Sequence, residues 1–483
     1  MVYGYQLGLD DGPEFLTFAK VIQNPLLYKN DLFMKSMLSI PWNERTTFGI
    51  FFSLFQNIEW AGFIVHVLLT FFLVLGVLKL SQIILNDFFW ATLVTIFYFF
   101  LTLKIEIGGT SLHLHNIQGE SFANTFIVWA LVALVKKKEM LAYAMIVLAT
   151  YFHVLIGFQS FIFISGAYVL HMIFYKDYNN IKIIIYSLLA YTLICGWMIV
   201  LVFSGNNSGS IITNEQFMDM TYHFSLKCHF DPQSFSRKGL LLFLISLASG
   251  LYFYKKQQPL FYFILITLFI GYIVYLIGYY FNSYLITTSW WFRTNMWLML
   301  LGQIAGVGLI KQYDFFNKYK RILIAIILFL AIGKALLSRN SVSYMYPWKQ
   351  LSEDNDEIKT ALACKRVSNI DDVFIHPLTF TALKYFGERA SYVEYNRILR
   401  SRNDVKHWYN RLWEVYKLDN SIETARNSEF EKSINENYYN LDDSELNLLA
   451  SKGVKYIISL AGHSSRFPTI YSNKTYKIIR IKI

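Results

Sequence analysis

Four stretches of the chain carry side chains suited to group transfer. Leu9-Asp10-Asp11-Gly12-Pro13-Glu14 holds three carboxylates in one short outer loop. A carboxylate there could take a proton from an acceptor hydroxyl as general base. The plainer reading is a solvated turn in which Asp11 caps a helix begun at Pro13. Adjacent residues point different ways, so Asp11 can cap while Asp10 faces a cavity. The second stretch, Ser111 to Glu120, contains His113, His115 and Glu120. In an extended loop the two histidines point the same way. With Glu120 they could bind a divalent metal or an anionic headgroup. Third, His153 interrupts two apolar runs, where it serves a site at the membrane face, or else caps a helix or hydrogen-bonds a neighbouring one. Fourth, Trp290-Trp291-Phe292-Arg293 places a guanidinium at the head of an apolar run. Guanidinium binds phosphate oxygens bidentately, so a lipid phosphate or pyrophosphate suits Arg293; a loop carboxylate is its simpler partner.

Apolar helices must position these groups. The chain has 483 residues, is 55% hydrophobic and 16% charged, and has a mean hydropathy of +0.36. A soluble protein of this length would carry more charge. Apolar runs at 58–84, 88–104, 118–135, 139–152, 154–174, 183–203, 239–254, 259–280, 290–310 and 321–337 predict about ten spans, several of them short for a core of about 30 Å. Lys136 to Lys138, Lys176, Lys182, Lys255, Lys256, Lys311, Lys318, Lys320 and Arg321 then share one side. The excess of lysine and arginine in short cytoplasmic loops assigns that side to the cytoplasm. The acidic loop, 105–117, about 152–154, 204–238, 281–289 and 338–483 fall outside. The net charge of +11 reads as cytoplasmic lysines and contact with anionic membrane lipid. No nucleic-acid-binding motif is present.

The fold class that follows is a multi-pass α-helical membrane protein with a C-terminal α/β soluble domain. Residues 1–337 form the transmembrane domain and residues 338–483 the outer domain. Residues 1–46 are polar and turn-rich, and 47–56 are too short to span. Residues 1–31 lack the basic start and apolar core of a signal peptide. In the C-terminal domain, Asp372 to Ile375, Lys455 to Ser459 and Thr475 to Ile483 read as strands. Asn403 to Tyr416 and Ser444 to Ser451 read as helices, the second stopped by Gly453. Cys195, Cys228 and Cys364 have no metal or redox spacing; Cys228 and Cys364 fall on the outer side, where a disulfide could form. The loop 204–238 also carries His223, Lys227, His229 and Asp231.

At these residues the chain resembles the GT-C class of membrane glycosyltransferases. It is similar in particular to bacterial GT-C-like membrane proteins. The matching pieces are Tyr3-Gly4-Tyr5 before the acidic loop, Tyr28-Lys29-Asn30-Asp31, Thr150-Tyr151-Phe152-His153-Val154-Leu155-Ile156-Gly157, His229-Phe230-Asp231-Pro232, Phe374-Ile375-His376-Pro377 and Ala390-Ser391-Tyr392-Val393. Where such relatives carry Arg-x-Pro-His-His, this chain reads Ser225-Leu226-Lys227-Cys228-His229 and keeps only His229. The class usually has a span before the acidic loop, whereas this sequence begins inside that loop. The resemblance implies transfer of a sugar from a polyprenyl-phosphate donor to a glycan, lipid or protein acceptor at the outer face of the inner (cytoplasmic) membrane. It implies a base from Asp10, Asp11 or Glu14, with His113, His115, Glu120, His153, His229 and Arg293 binding substrate. Some members use a divalent metal. The alternative is a non-catalytic lipid-linked glycan transporter or assembly subunit. A transporter should carry ionisable residues at mid-span; His66 and His171 lie within the expected spans.

Overall fold

The computed structural model describes residues 5, 12–43, 45–101, 111–114, 116–176, 178, 181–204, 211–225, 230–338, 355–395, 397, 399, 401–418 and 428–481. The chain is mostly helical, with a small sheet near its C-terminus. It divides into two compact units, each assembled from separated stretches of sequence. One comprises Met1–Tyr5, Ile64–Val200 and Pro232–Tyr344; the other comprises Gln6–Phe63, Leu201–Asp231 and Met345–Ile483.

Among the described residues, five helices are long and apolar enough to cross a bilayer: Ile58–Leu85, Val154–Tyr175, Ile181–Val202, Arg237–Lys256 and Gln258–Tyr280. The expectation of about ten spans is therefore corrected. The apolar runs exist, but several form helices that are too short. Gly119–Val135 has 17 residues, Glu139–Phe152 has 14 and Asn295–Ile310 has 16. At about 1.5 Å per residue these reach roughly 21–26 Å, short of a core of about 30 Å. In the 290–310 run, the first residues are spent on a 3-10 turn at Trp291–Thr294, entered through Trp290 at φ 52°.

Within the first unit, the Asp87 carboxylate caps Phe88–Ile96 by accepting from the N–H groups of Phe89 (2.8 Å) and Trp90 (3.2 Å). Gly119–Val135 turns back into Glu139–Phe152 through the triple lysine, with Lys137 at φ 53°. Phe122 and Phe152 stack at 4.0 Å across this hairpin, a contact worth about 0.5–1.5 kcal/mol beyond its buried area. The chain breaks at His153 and resumes as Val154–Tyr175.

The second unit holds a mixed five-stranded sheet: β1 (Val373–Ile375), β2 (Ala390–Ser391), β3 (Val454–Leu460), β4 (Thr469–Ser472) and β5 (Tyr476–Arg480), in the order β2-β1-β3-β5-β4. β1 runs parallel to β2 and β3, while β5 runs antiparallel to β3 and β4. The expected strands appear as β1, β3 and β5. Helices Arg402–Tyr416 and Asp443–Ser451 form where expected, and Gly453 follows the latter at φ 96°. Helices Asp356–Val367 and Ser428–Tyr439 and strands β2 and β4 were not anticipated. Three helices from the start of the chain, Gly12–Gln23, Leu32–Leu38 and Thr46–Ser53, belong to this unit. Their residues Leu16, Phe18, Met34, Phe48 and Phe52 are buried. Cys364 is a free, buried thiol, while Cys228 lies outside the described residues.

Candidate functional site

In the first unit, Arg293 lies in the turn Trp291–Thr294 that leads into Asn295–Ile310. Its guanidinium sits 3.8 Å from the Trp290 ring centre, and Nη1 is 3.7 Å from Glu120 Oε2. Glu120 occupies the first turn of Gly119–Val135, where the helix dipole favours a carboxylate. The turn is pinned by Gln159, whose side-chain amide donates to the carbonyls of Ser289 (2.5 Å) and Trp290 (2.9 Å). The Glu120–Arg293 separation is long beside the roughly 2.7–2.9 Å of a tight charge-assisted bond. The carboxylate facing Arg293 is thus a helical one, Glu120, and not the loop carboxylate of the plainer expectation.

Other expected site residues have contacts of their own where they are described. His113 lies 3.2 Å from the Thr70 hydroxyl and edge-on to His66 at 5.7 Å and Phe99 at 6.1 Å. His153 is buried at the joint of two helices. Its own N–H donates to the Ala149 carbonyl, and its Nδ1 accepts from the Ile156 N–H at 3.4 Å, so it caps both helices. Asp10, Asp11, His115 and His229 lie outside the described residues. Glu14 sits in Gly12–Gln23 of the second unit, with its side chain outside them. Among the described residues, no group of three or more His, Cys, Asp or Glu is placed to hold a metal.

The second unit contains a charged cluster that sequence reasoning missed. The Lys384 ammonium is buried between Asp31 Oδ1 (3.0 Å) and Glu394 Oε2 (2.6 Å), and Arg397 Nε reaches Glu394 Oε2 at 3.1 Å. Asp31 joins three elements. It caps Leu32–Leu38 through the Met34 N–H, accepts the Ser391 N–H of β2 at 3.0 Å and pairs with Lys384. Tyr28 donates its hydroxyl to the Lys384 carbonyl at 2.6 Å. His376, at the end of β1, has Nε2 3.0 Å from Ser391 Oγ and Nδ1 3.0 Å from the Pro377 carbonyl. Burial opposes ionisation of Glu394, but Lys384 and Arg397 outweigh it and hold the carboxyl well below its ordinary value. Burial holds the His376 imidazole below its ordinary value against the pull of Glu394. The pieces 28–31, 374–377 and 390–393, singled out in the sequence for a resemblance, thus meet at this cluster. The available signal was a lone lysine inside the aromatic and apolar run Phe380 to Phe386.

Compared with protein-family models and with curated proteins, the chain shows no match in either.

Proposed function

We propose that the chain is a GT-C-type membrane glycosyltransferase, taking a sugar from a polyprenyl-phosphate donor at the outer face of the cytoplasmic membrane. The observation that carries this reading is Arg293. It is a cation at the head of an apolar helix, laid on an indole 3.8 Å away and facing Glu120 at 3.7 Å. Such a charge suits the phosphate of a lipid whose chain lies among the neighbouring apolar helices. In the reaction, the acceptor hydroxyl attacks the anomeric carbon and the bond from that carbon to the phosphate oxygen breaks. The hydroxyl proton passes to a carboxylate base, for which the sequence offers Asp10 first and Asp11 or Glu14 after it. Arg293 stabilises the charge that develops on the departing lipid phosphate. The lysine distribution supports a cytoplasmic Lys136 to Lys138 turn.

The test uses the purified chain in liposomes containing a radiolabelled polyprenyl-phosphate glucose or polyprenyl-phosphate mannose. Sugar release or transfer and lipid-phosphate binding are measured separately. Arg293→Ala should lower turnover about 10²–10³-fold, the loss typical of a donor to a developing oxyanion, and weaken binding. Asp10→Asn should lower turnover about 10²–10⁴-fold with binding retained. Binding without turnover in the unaltered chain would favour a transporter or assembly subunit.

A further inference from the structure

The second unit contains a cleft away from the Lys384 cluster. It lies between the end of Ser428–Tyr439, the start of Asp443–Ser451, the exposed loop 461–468 and the β3–β5 part of the sheet. Its volume is about 400 Å³, within the roughly 300–1,000 Å³ of small-molecule sites. Ile457 and Ser459 of β3 and Ile479 of β5 form its floor. Ile457 pairs with Ile479 across the strands, and Ser459 follows two residues on, so all three share one sheet face. Tyr439 supplies a half-buried ring beside His463, with ring centres 5.8 Å apart. Arg466 Nη1 reaches Asp443 Oδ2 at 3.0 Å, which joins the loop to the helix start. Lys477 donates to the His463 carbonyl and anchors the loop from beneath.

We propose that this cleft binds a neutral saccharide of one or two rings. The charges at its rim are paired within the protein. Asp443 and Arg466 neutralise each other, and the Asp442 carboxylate is occupied as helix cap by the Glu445 N–H at 2.9 Å and the Ser444 hydroxyl at 2.6 Å. The polar groups of the rim combine acceptors and donors: the paired carboxylates and guanidinium, which keep spare lone pairs and N–H groups, and the hydroxyls of Ser464 and Ser465. Sugar hydroxyls both donate and accept, so they match this mixed lining. The Tyr439 ring and the isoleucine floor offer apolar surface for the C–H face of a pyranose. A lipid chain would leave the charged rim unsatisfied, and a phosphate would meet the Asp442 and Asp443 carboxylates. The site does not depend on the transfer reaction proposed above, and its test measures binding alone.

The full-length chain in nanodiscs is probed with maltose, cellobiose and N,N′-diacetylchitobiose by saturation-transfer NMR and calorimetry, with glucose 6-phosphate as the charged comparison. At least one disaccharide should bind, and glucose 6-phosphate should bind more weakly. Tyr439→Ala should weaken that binding about tenfold, a difference of about 1.4 kcal/mol, and Tyr439→Phe should preserve it. Arg466→Ala, at an exposed side chain that cannot undo the core, should also weaken it. Lys432→Ala, on the solvent face of the same helix, should not. Absence of binding by all three disaccharides, equal binding by Tyr439→Ala and Arg466→Ala, or preference for glucose 6-phosphate would each overturn the assignment. None of these outcomes bears on turnover of a lipid-linked donor.

Discussion

Replacing Lys384 with Met would leave the Asp31 and Glu394 carboxylates buried with their shared cation gone. Removing one partner of a buried ion pair typically costs about 3–5 kcal/mol. Lys384→Met should therefore unfold the second unit at clearly lower temperature, measured by thermal melting with limited proteolysis of the C-terminal region. An unchanged melting point would show that the cluster contributes no net stability. Two groups there also make stability depend on pH. Both Glu394 and His376 titrate below their ordinary values of 4.5 and 6.5 in the folded state. Between its folded and unfolded values, each group binds more protons when unfolded, so stability rises with pH. The His376 contribution is complete above pH 6.5 and is lost as pH falls from there. The Glu394 contribution is complete above pH 4.5 and is lost as pH falls further. Melting scans from about pH 8 down to pH 4 should show stability declining in two stages, and His376→Asn should remove the upper one. Neither residue could be assigned this part from sequence. A lysine's burial depends on carboxylates brought from elsewhere, and Asp31 lies 353 residues before Lys384 by their numbers.

The break at His153 shows how far local sequence determines an element here. A histidine between two apolar runs is legible, and the helix ends at Phe152 and restarts at Val154 as expected. The sequence left two roles open, a group offered to a membrane-face site or a helix cap, and the structure shows it capping both helices. Gly157 makes this joint possible. A Cβ on it would overlap the Thr150 side chain and backbone, lying 2.5 Å from the Thr150 nitrogen. Thr150 is itself fixed by bonds to the Ile146 carbonyl (2.8 Å) and the Tyr191 hydroxyl (3.0 Å). Gly157→Ala should therefore force the two helices apart at a cost of about 1–3 kcal/mol, as overpacking does, and lower the melting point of the detergent-solubilised chain. Gly306→Ala, with open space at the Cβ position, serves as the control and should leave the melting point within about 1 °C of the unaltered chain. Equal behaviour of the two variants would remove the tight joint from the account. Helix lengths were the least legible feature, because apolar composition continues through turns such as Trp291–Thr294 that no longer advance along a helix axis.

At the scale of the whole chain, the membrane character was legible from composition, and three of the strands from their β-branched runs. The assembly of the second unit was not. Of its helices from residues 12–53, the one begun near Pro13 was legible, while Leu32–Leu38 and Thr46–Ser53 were not, since part of the setting of this group comes from segments more than 350 residues away, such as Tyr385 and Glu388 against Lys20. Sidedness remains a proposal from the lysines, with a direct test. Reporter fusions after Lys138 and after Arg480 should report opposite compartments, the first cytoplasmic. The same compartment for both would sink the proposed orientation.

The long-range bonds of the second unit impose a parity rule on the membrane path. Asp31 is bonded to Lys384 and Ser391, and Gln23 to the Ser53 and Phe55 carbonyls. Ile211 is bonded to Asn403, and Asn214 to Arg402. A single folded body at one face of a bilayer cannot have its pieces on opposite sides. With the second unit on one side of a membrane, as the proposed orientation has it, the chain would cross an even number of times between residues 55 and 211, and again between 231 and 355. Ile58–Leu85, Val154–Tyr175 and Ile181–Val202 lie in the first interval, which is an odd number, while Arg237–Lys256 and Gln258–Tyr280 balance the second. Were all five candidates to cross, that orientation would require an odd number of the short helices Phe88–Phe100, Gly119–Val135 and Glu139–Phe152 to traverse the bilayer as well. A bilayer thinned or indented around them is the physical means by which a short helix does so.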